Sequence, residues 1–144
     1  MLGIIFSIVA GMAMSFQGVM NTRLSESIGT TEANSIIQGI AFALSLIALL
    51  FYRQGSFSAL ADTNKIYLLG GVLGIVITIT VMLGIKSLGP TVAISVILIS
   101  QLLVAAVIDR FGLLGSEKVD FCWNKYVGLG LMICGVLLFK WEKG

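Results

Sequence analysis

The stretch SLGPTVAISVILISQLLVAAVI, residues 87–108, contains 22 residues and no charged side chain. A helix needs about 20 mainly apolar residues to cross the hydrocarbon core of a bilayer, so this stretch predicts a membrane-spanning helix. Charge-free runs of 22, 20, 20 and 14 residues lie elsewhere, at 1–22, 33–52, 66–85 and 126–139. The first three of these runs predict spanning helices by the same criterion.

The last run is short for a span. We expect it to cross the membrane if Phe121, Cys122 and Trp123 extend it. Lys125 and Lys140 would then direct their ammonium groups toward the two interfaces. The pattern thus predicts an all-α membrane protein with five transmembrane helices per chain. They are expected at about 2–22, 33–52, 66–85, 90–109 and 122–140.

Composition leads to the same conclusion. Hydrophobic residues make up 58% of the chain and charged residues 11%, against roughly 45–50% and 25% in soluble domains. No stretch outside the apolar runs is long enough to fold by itself, so residues 1–144 are interpreted as a single transmembrane domain. A cleaved signal peptide is the less favoured interpretation of the first run, because no Lys or Arg precedes its long apolar core.

Several classes of chemistry are excluded by residue type. The chain has no His, and its only cysteines are Cys122 and Cys134, so neither a zinc site nor a His-based catalytic triad can form. No GxxxxGK[ST] loop for nucleotide phosphates occurs, and no basic stripe offers a surface to nucleic acid. We expect no metal, no cofactor, no enzymatic activity and no nucleic-acid partner.

Polar residues recur at helical spacing inside three of the apolar runs. Such side chains should face protein or a water-filled cavity rather than lipid. The stripe on the first helix is Gly3, Ser7, Ala10, Met14, Gln17 and Asn21, and that on the second is Asn34, Gln38, Ala41, Ser45 and Ala48. On the fourth helix, Gln101, Ala105 and Asp109 follow at steps of four.

A stripe of small and polar residues leaves room for a polar substrate. An amide has four hydrogen-bonding sites, which helix packing alone rarely satisfies, and this favours Gln17 and Gln38 as site residues. For Ser45, hydrogen bonding between packed helices is the stronger interpretation. The predicted substrate-binding residues are Gln17, Asn21, Gln38, Ser45 and Gln101, with Asn34, Glu32 and Asp109 as secondary candidates.

No Asp or Glu lies in the middle of a predicted span, which argues against direct proton coupling through a central acid. Glu32 stands at the mouth of the second helix, where a first-turn charge is the simpler interpretation. Asp109 stands beside Arg110, and an ion pair between them at the interface is the alternative to a functional role.

Glycine is concentrated in the third and fifth helices. Gly70, Gly74 and Thr78 form a small-xxx-small series, which lets two helix backbones approach closely. We expect Gly70 and Gly74, with Gly128 and Gly135 on the fifth helix, to mediate helix packing.

The distribution of Lys and Arg gives almost no orientation. Five of these residues fall on the side of the 53–65 and 110–125 loops and four on the other side, whereas the positive-inside rule needs a clear excess on one side. Chains inserted both ways up could pair antiparallel, which would give a ten-helix bundle with the inverted repeats of many transporters. The expectation is dual topology and an antiparallel homodimer.

Four segments together resemble the YdcZ-type family of short five-helix proteins in the drug/metabolite transporter superfamily. They are GMAMSFQGVMNTRL (11–24), GGVLG (70–74), SLGPTVAISVILISQLLVAAVIDRFGLLG (87–115) and YVGLGLMICGVLLF (126–139). The closing helix also resembles the last helix of the small multidrug resistance proteins. Those proteins have an essential glutamate in the first helix, where this chain offers Gln17, so their proton exchange mechanism does not carry over.

The resemblance implies an exporter of the bacterial cytoplasmic (inner) membrane, in a family whose single, paired and fused forms suggest antiparallel dimers. The resulting hypothesis is a multi-pass transporter that moves a small polar or amphipathic metabolite or drug by alternating access. Its partners would be a second copy, the lipid bilayer and a small-molecule substrate, or a paired homologue in place of the copy. The alternative is a membrane packing or assembly subunit without its own transport pathway.

Overall fold

The computed structural model describes residues 1–120 and 122–141, most of which lie in five α-helices. These are α1 (Leu2–Ile28), α2 (Thr30–Phe51), α3 (Leu69–Leu88), α4 (Pro90–Phe111) and α5 (Trp123–Lys140). Three 3₁₀ segments occur in the connections, at Phe57–Ala61, Lys65–Leu68 and Leu113–Gly115. The described residues contain no strand, and the predicted all-α class is confirmed.

Four of the helices are long and apolar enough to cross a membrane, and the fifth apolar helix, Trp123–Phe139, is shorter. In that fifth helix Cys122 is the N-cap and Trp123 the first helical residue, while Phe121 lies outside the described residues. The first helix continues to Ile28, beyond the predicted end at residue 22. A charge-free run marks the part of a helix that suits lipid, whereas Arg23 and Glu26 extend α1 as an i, i+3 ion pair of 3.0 Å.

The chain forms two compact units, Met1–Ser87 and Leu88–Gly144. In the first unit, α1 and α2 form a hairpin around Gly29, whose φ of 102° favours glycine. The Gly29 N–H donates to the Ser25 carbonyl at 3.0 Å, and its own carbonyl accepts from the Ala33 N–H at 3.0 Å. The turn therefore ends one helix and begins the next without a further loop residue.

Burial in the first unit is confined to one end of its helices. The buried residues are Gly18, Thr22, Ser25, Ala33, Asn34, Met82 and Ile85. At the opposite end, residues 1–14 of α1, 39–48 of α2 and 69–73 of α3 are exposed throughout. The closely packed part of the unit is the end that holds the Gly29 turn and the last turns of α3.

In the second unit, α4 begins with Gly89 as N-cap and Pro90 in its first turn, a position that requires no N–H donor. It ends at Gly112, which adopts the left-handed conformation with φ 63° and donates its N–H to the Ile108 carbonyl. The connection folds back on the end of α4, because the Val119 N–H donates to the Asp109 carbonyl at 2.9 Å. Helices α4 and α5 then pack against each other.

Candidate functional site

The amide of Gln38 joins two helices of the first unit. Its Nε2 donates to Thr78 Oγ1 at 3.5 Å, in a half-buried position, and Thr78 Oγ1 in turn donates to the Gly74 carbonyl at 2.8 Å. The first bond is at the long limit of hydrogen-bond geometry. Gln38 is therefore held near α3 while most of its hydrogen-bonding capacity stays available to another molecule.

One helical turn before Gln38, Asn34 lies on the same face of α2. Only 7% of its surface is exposed, and its side-chain Oδ1 is fully buried without a hydrogen-bond partner. Leaving a buried acceptor unsatisfied costs about 1–3 kcal/mol unless something binds to it. The structure thus gives Asn34, a secondary candidate from the sequence, the clearest unmet demand for a donor among the described residues.

Thr22 and Ser25 are buried polar residues that the sequence did not single out, with 3% and 5% exposure. Their hydroxyls donate to carbonyls of α1 itself, Thr22 to Gly18 and Ser25 to Thr22, each at 2.7 Å. Both oxygens can still accept a hydrogen bond. The available signal was their spacing, because Thr22 and Ser25 continue the series Gly11, Ser15 and Gly18 at steps of four and three.

The remaining predicted residues are spread over the molecule. Gln17 is exposed and Asn21 half-buried, and neither side chain makes a hydrogen bond to another described residue. Ser45 is exposed and donates to the Ala41 carbonyl of its own helix at 2.7 Å, which matches the packing interpretation more than a ligand contact. Gln101 is exposed on α4, in the second unit.

The two carboxylates at helix ends have different surroundings. The Glu32 carboxylate occupies the space where a Cβ on Gly29 would lie, so it folds back over the first turn of α2. Asp109 does not pair with Arg110. Instead Arg110 Nη1 donates to Asp120 Oδ1 at 3.2 Å, which leaves the half-buried Asp109 carboxylate to line a cavity between α4 and α5.

The four glycines predicted to mediate helix packing have no close neighbour within the described chain. A Cβ added at Gly70, Gly74, Gly128 or Gly135 would meet no atom within 4 Å. Gly18 is different, because a Cβ there would lie 2.9 Å from Ile85 Cδ1. A side chain of α3 therefore lies directly against the backbone of α1 at Gly18, whereas the four predicted glycines have no such neighbour.

A protein-family model described as "Putative inner membrane exporter, YdcZ" matches residues 2–138. The chain belongs to this family. The resemblance found in residues 11–24 and 87–115 is thereby confirmed. A search of curated proteins and a search of solved structures each found no significant match.

Membership of the YdcZ family supports a membrane transporter role at the inner membrane, and the several apolar helices support a multi-pass protein. The family is described as a class of exporter, not of enzyme.

Proposed function

We propose that this chain is a five-span transporter that exports a small neutral or zwitterionic polar metabolite by alternating access. The observation that carries the proposal is the line of Asn34, Gln38 and Thr78, which crosses from α2 to α3 between apolar residues and contains a buried acceptor without a partner. We call these three residues the amide line. In a member of an exporter family, a transported solute that donates a hydrogen bond to Asn34 Oδ1 would supply the missing partner.

The chemistry of the amide line favours an uncharged or internally balanced solute. Amide and hydroxyl groups offer both donors and acceptors but no net charge. No Asp or Glu lies in the predicted spans that contain these residues, so a permanent cation would lose its hydration without a counter-charge. Gln17 and Asn21, on the first helix of the same unit, complete the proposed pathway.

Aromatic residues support the fifth span. Trp123 and Trp141 flank α5 and are 80% and 74% exposed. Exposed Trp residues are typical of the two membrane interfaces. At 1.5 Å per residue the two positions are separated by about 27 Å, which is close to the hydrocarbon thickness of about 30 Å.

An antiparallel homodimer is the assembly that we propose. A Cβ added at Gly70 or Gly74, which we call the glycine face of α3, would meet no atom within 4 Å, and the charge balance would permit insertion in both orientations. Two oppositely oriented copies would reproduce the inverted repeats that place a substrate site near the bilayer midplane. The amide lines of both copies would then contribute to one pathway.

Thermal unfolding of the purified chain in detergent, against a panel of neutral, zwitterionic and permanently cationic solutes, tests the proposal. A ligand that binds only the folded state raises its stability with concentration. We expect stabilisation by neutral or zwitterionic solutes, and its loss in Asn34→Leu and Gln38→Leu. Ser45→Ala, whose hydroxyl bonds within its own helix, is the matched control.

Two results would contradict the proposal. One is an unchanged response in both Leu variants, and the other is stabilisation by permanent cations alone with a requirement for Glu32 or Asp109. The first result, combined with loss of assembly in variants of the glycine face of α3, would favour the alternative of a packing or assembly subunit. The open glycine face of α3 is the observation that favours that alternative.

A further inference from the structure

The second unit contains a cavity of about 510 Å³ between α4 and α5, within the usual range for small-molecule sites of roughly 300–1,000 Å³. Its walls are mostly apolar and include Leu102, Ala105 and Met132. Two charged residues also line it, Asp109 from the last turn of α4 and Lys125 from the first turn of α5. It contains none of the residues of the amide line.

The charged and apolar parts of this cavity are separated along the helix axes. Leu102 precedes Asp109 by two helical turns and Met132 follows Lys125 by two, so the apolar walls extend about 10 Å from the charged end. Trp123 and Tyr126 are exposed at the same end of α5, with 80% and 51% exposure, as expected for a membrane interface. This arrangement is typical of a charged end at headgroup level with apolar walls at the depth of acyl chains.

The ion pair between Arg110 and Asp120 keeps the Asp109 carboxylate available. Arg110 Nη1 lies 3.2 Å from Asp120 Oδ1 and forms an ion pair with it. Asp109 therefore has no ion-pair partner among the described residues. Its backbone carbonyl is held by the Val119 N–H at 2.9 Å, which fixes the end of α4 where the carboxylate lines the cavity.

We propose that this cavity binds a zwitterionic amphiphile with a phosphoethanolamine-type head. The primary ammonium donates hydrogen bonds to Asp109, the phosphate lies toward Lys125, and the alkyl chain follows Leu102 and Met132. A simple cation would face Lys125 and a simple anion would face Asp109, so each would meet a like charge. A zwitterion offers both residues an opposite charge, and charge-assisted hydrogen bonds are the stronger kind.

Gly128 supplies a direct test, because it lines the cavity and a Cβ there would meet nothing within 4 Å. Gly128→Phe should therefore occupy part of the cavity with its ring. Gly135 is on the same helix and is equally open, but it does not line the cavity, so Gly135→Phe is the matched control. Asp109→Asn removes the charge while it keeps the side-chain volume.

The experiment measures thermal unfolding of the full chain in detergent during titration with lysophosphatidylethanolamine. The comparison probes are lysophosphatidylglycerol and an alkyltrimethylammonium with the same chain length, and free phosphoethanolamine. We expect the zwitterionic amphiphile alone to stabilise the chain. Its apparent Kd should rise at least about tenfold in Gly128→Phe and in Asp109→Asn, and should be unchanged in Gly135→Phe.

Equal stabilisation by all three amphiphiles, or an unchanged Kd in both cavity variants, would overturn the proposal. Equal stabilisation by free phosphoethanolamine would overturn the role of the apolar walls. A fluorescent lysophosphatidylethanolamine in proteoliposomes then distinguishes two sources of the same chemistry: faster movement between leaflets identifies a cargo, and retention identifies a resident lipid. The outcome is separate from that of the amide line, which is tested by Asn34→Leu and Gln38→Leu.

Discussion

Gly18 on α1 and Ile85 on α3 are in close contact between two helices of the first unit. A Cβ on Gly18 would lie 2.9 Å from Ile85 Cδ1 and 3.3 Å from Val81 Cγ1. Gly18 and Ile85 are both buried. The absence of a side chain at Gly18 thus leaves room for the Ile85 side chain of α3 at the closely packed end of the first unit.

Gly18→Leu should destabilise the protein by about 1–3 kcal/mol, the usual cost of forcing extra atoms into a packed contact. Gly11→Leu should have little effect, because a Cβ at Gly11 meets nothing within 4 Å. Thermal unfolding in detergent measures both. Adding Ile85→Ala to Gly18→Leu should give a double variant more stable than the sum of the single changes, since the two side chains compete for one space. Additive effects would show that contact with Ile85 is not the cause of the destabilisation by Gly18→Leu.

Helix packing at the four predicted glycines stays a prediction, and the reason is physical. A small-xxx-small series such as Gly70, Gly74 and Thr78 shows that a helix can be approached closely, but not which helix approaches it. Gly18 and Thr22 have the same spacing as Gly74 and Thr78, so only three-dimensional contacts show which of these positions lies against another helix. By contrast, the all-α class followed directly from the charge-free runs, because lipid requires helices of a fixed minimum length.

A large side chain on the glycine face of α3 should change assembly of the protein rather than its folding. Gly74→Phe should leave helix content unchanged, because nothing lies within 4 Å of its added Cβ, while it reduces dimer formation if α3 contributes to the dimer interface. Val72→Phe on the opposite side of α3 is the control. Native mass spectrometry or crosslinking reports the oligomer. An intact dimer in Gly74→Phe would remove this face of α3 from the proposed interface.

Replacing Asn34 with an apolar residue should not lower the free energy of unfolding. Asn34→Leu replaces a buried acceptor that has no partner with an apolar side chain of similar size, so the free energy of unfolding should stay constant or rise by up to about 1–3 kcal/mol. The ligand response should be lost at the same time. Ser35→Ala, at an exposed neighbour whose hydroxyl bonds to the Thr31 carbonyl, is the control. A large loss of stability in Asn34→Leu would mean that its oxygen has a partner after all.

The bond between Gln38 and Thr78 should contribute little to stability. At 3.5 Å its coupling energy is expected to be no more than about 0.6 kcal/mol, the average for hydrogen bonds between membrane helices. A double-mutant cycle with Gln38→Leu and Thr78→Val measures this coupling. A value well above 1 kcal/mol would make Gln38 a packing residue in the sense of the alternative hypothesis.

Helical spacing was sufficient to pair Asn34 with Gln38, and insufficient for the first helix. Helical periodicity identifies one face of a helix. It does not show which part of the helix length packs against neighbouring helices. Gln17 and Ser45 lie on predicted stripes and are nevertheless exposed. Thr22 and Ser25 are buried because they lie at the end of α1 that the Gly29 turn brings against α2. Which end of a bundle closes is a property of its turns and contacts, which periodicity alone does not report.

Lys and Arg are nearly balanced between the two sides of the membrane, so a small change in charge should fix the orientation of the chain. Gln54→Lys with Ala59→Lys adds two charges to the 53–65 connection, and should make insertion one-sided. A single cysteine at Ser58 reports the orientation by labelling from either side, in a chain whose native Cys122 and Cys134 are replaced. We expect labelling from both sides before the change and from one side after it.

The biased chain alone should then fail to form the proposed antiparallel dimer. Co-expression with a copy biased the other way, by Ser27→Lys and Ser87→Lys, should restore the dimer because the two orientations are again both present. One-sided labelling of the unbiased chain would contradict dual topology, and it would point instead to a separately encoded partner of opposite orientation. If the chain that inserts in one orientation still dimerises by itself, the antiparallel arrangement is excluded. The two copies, and their amide lines, would then have the same orientation in the membrane.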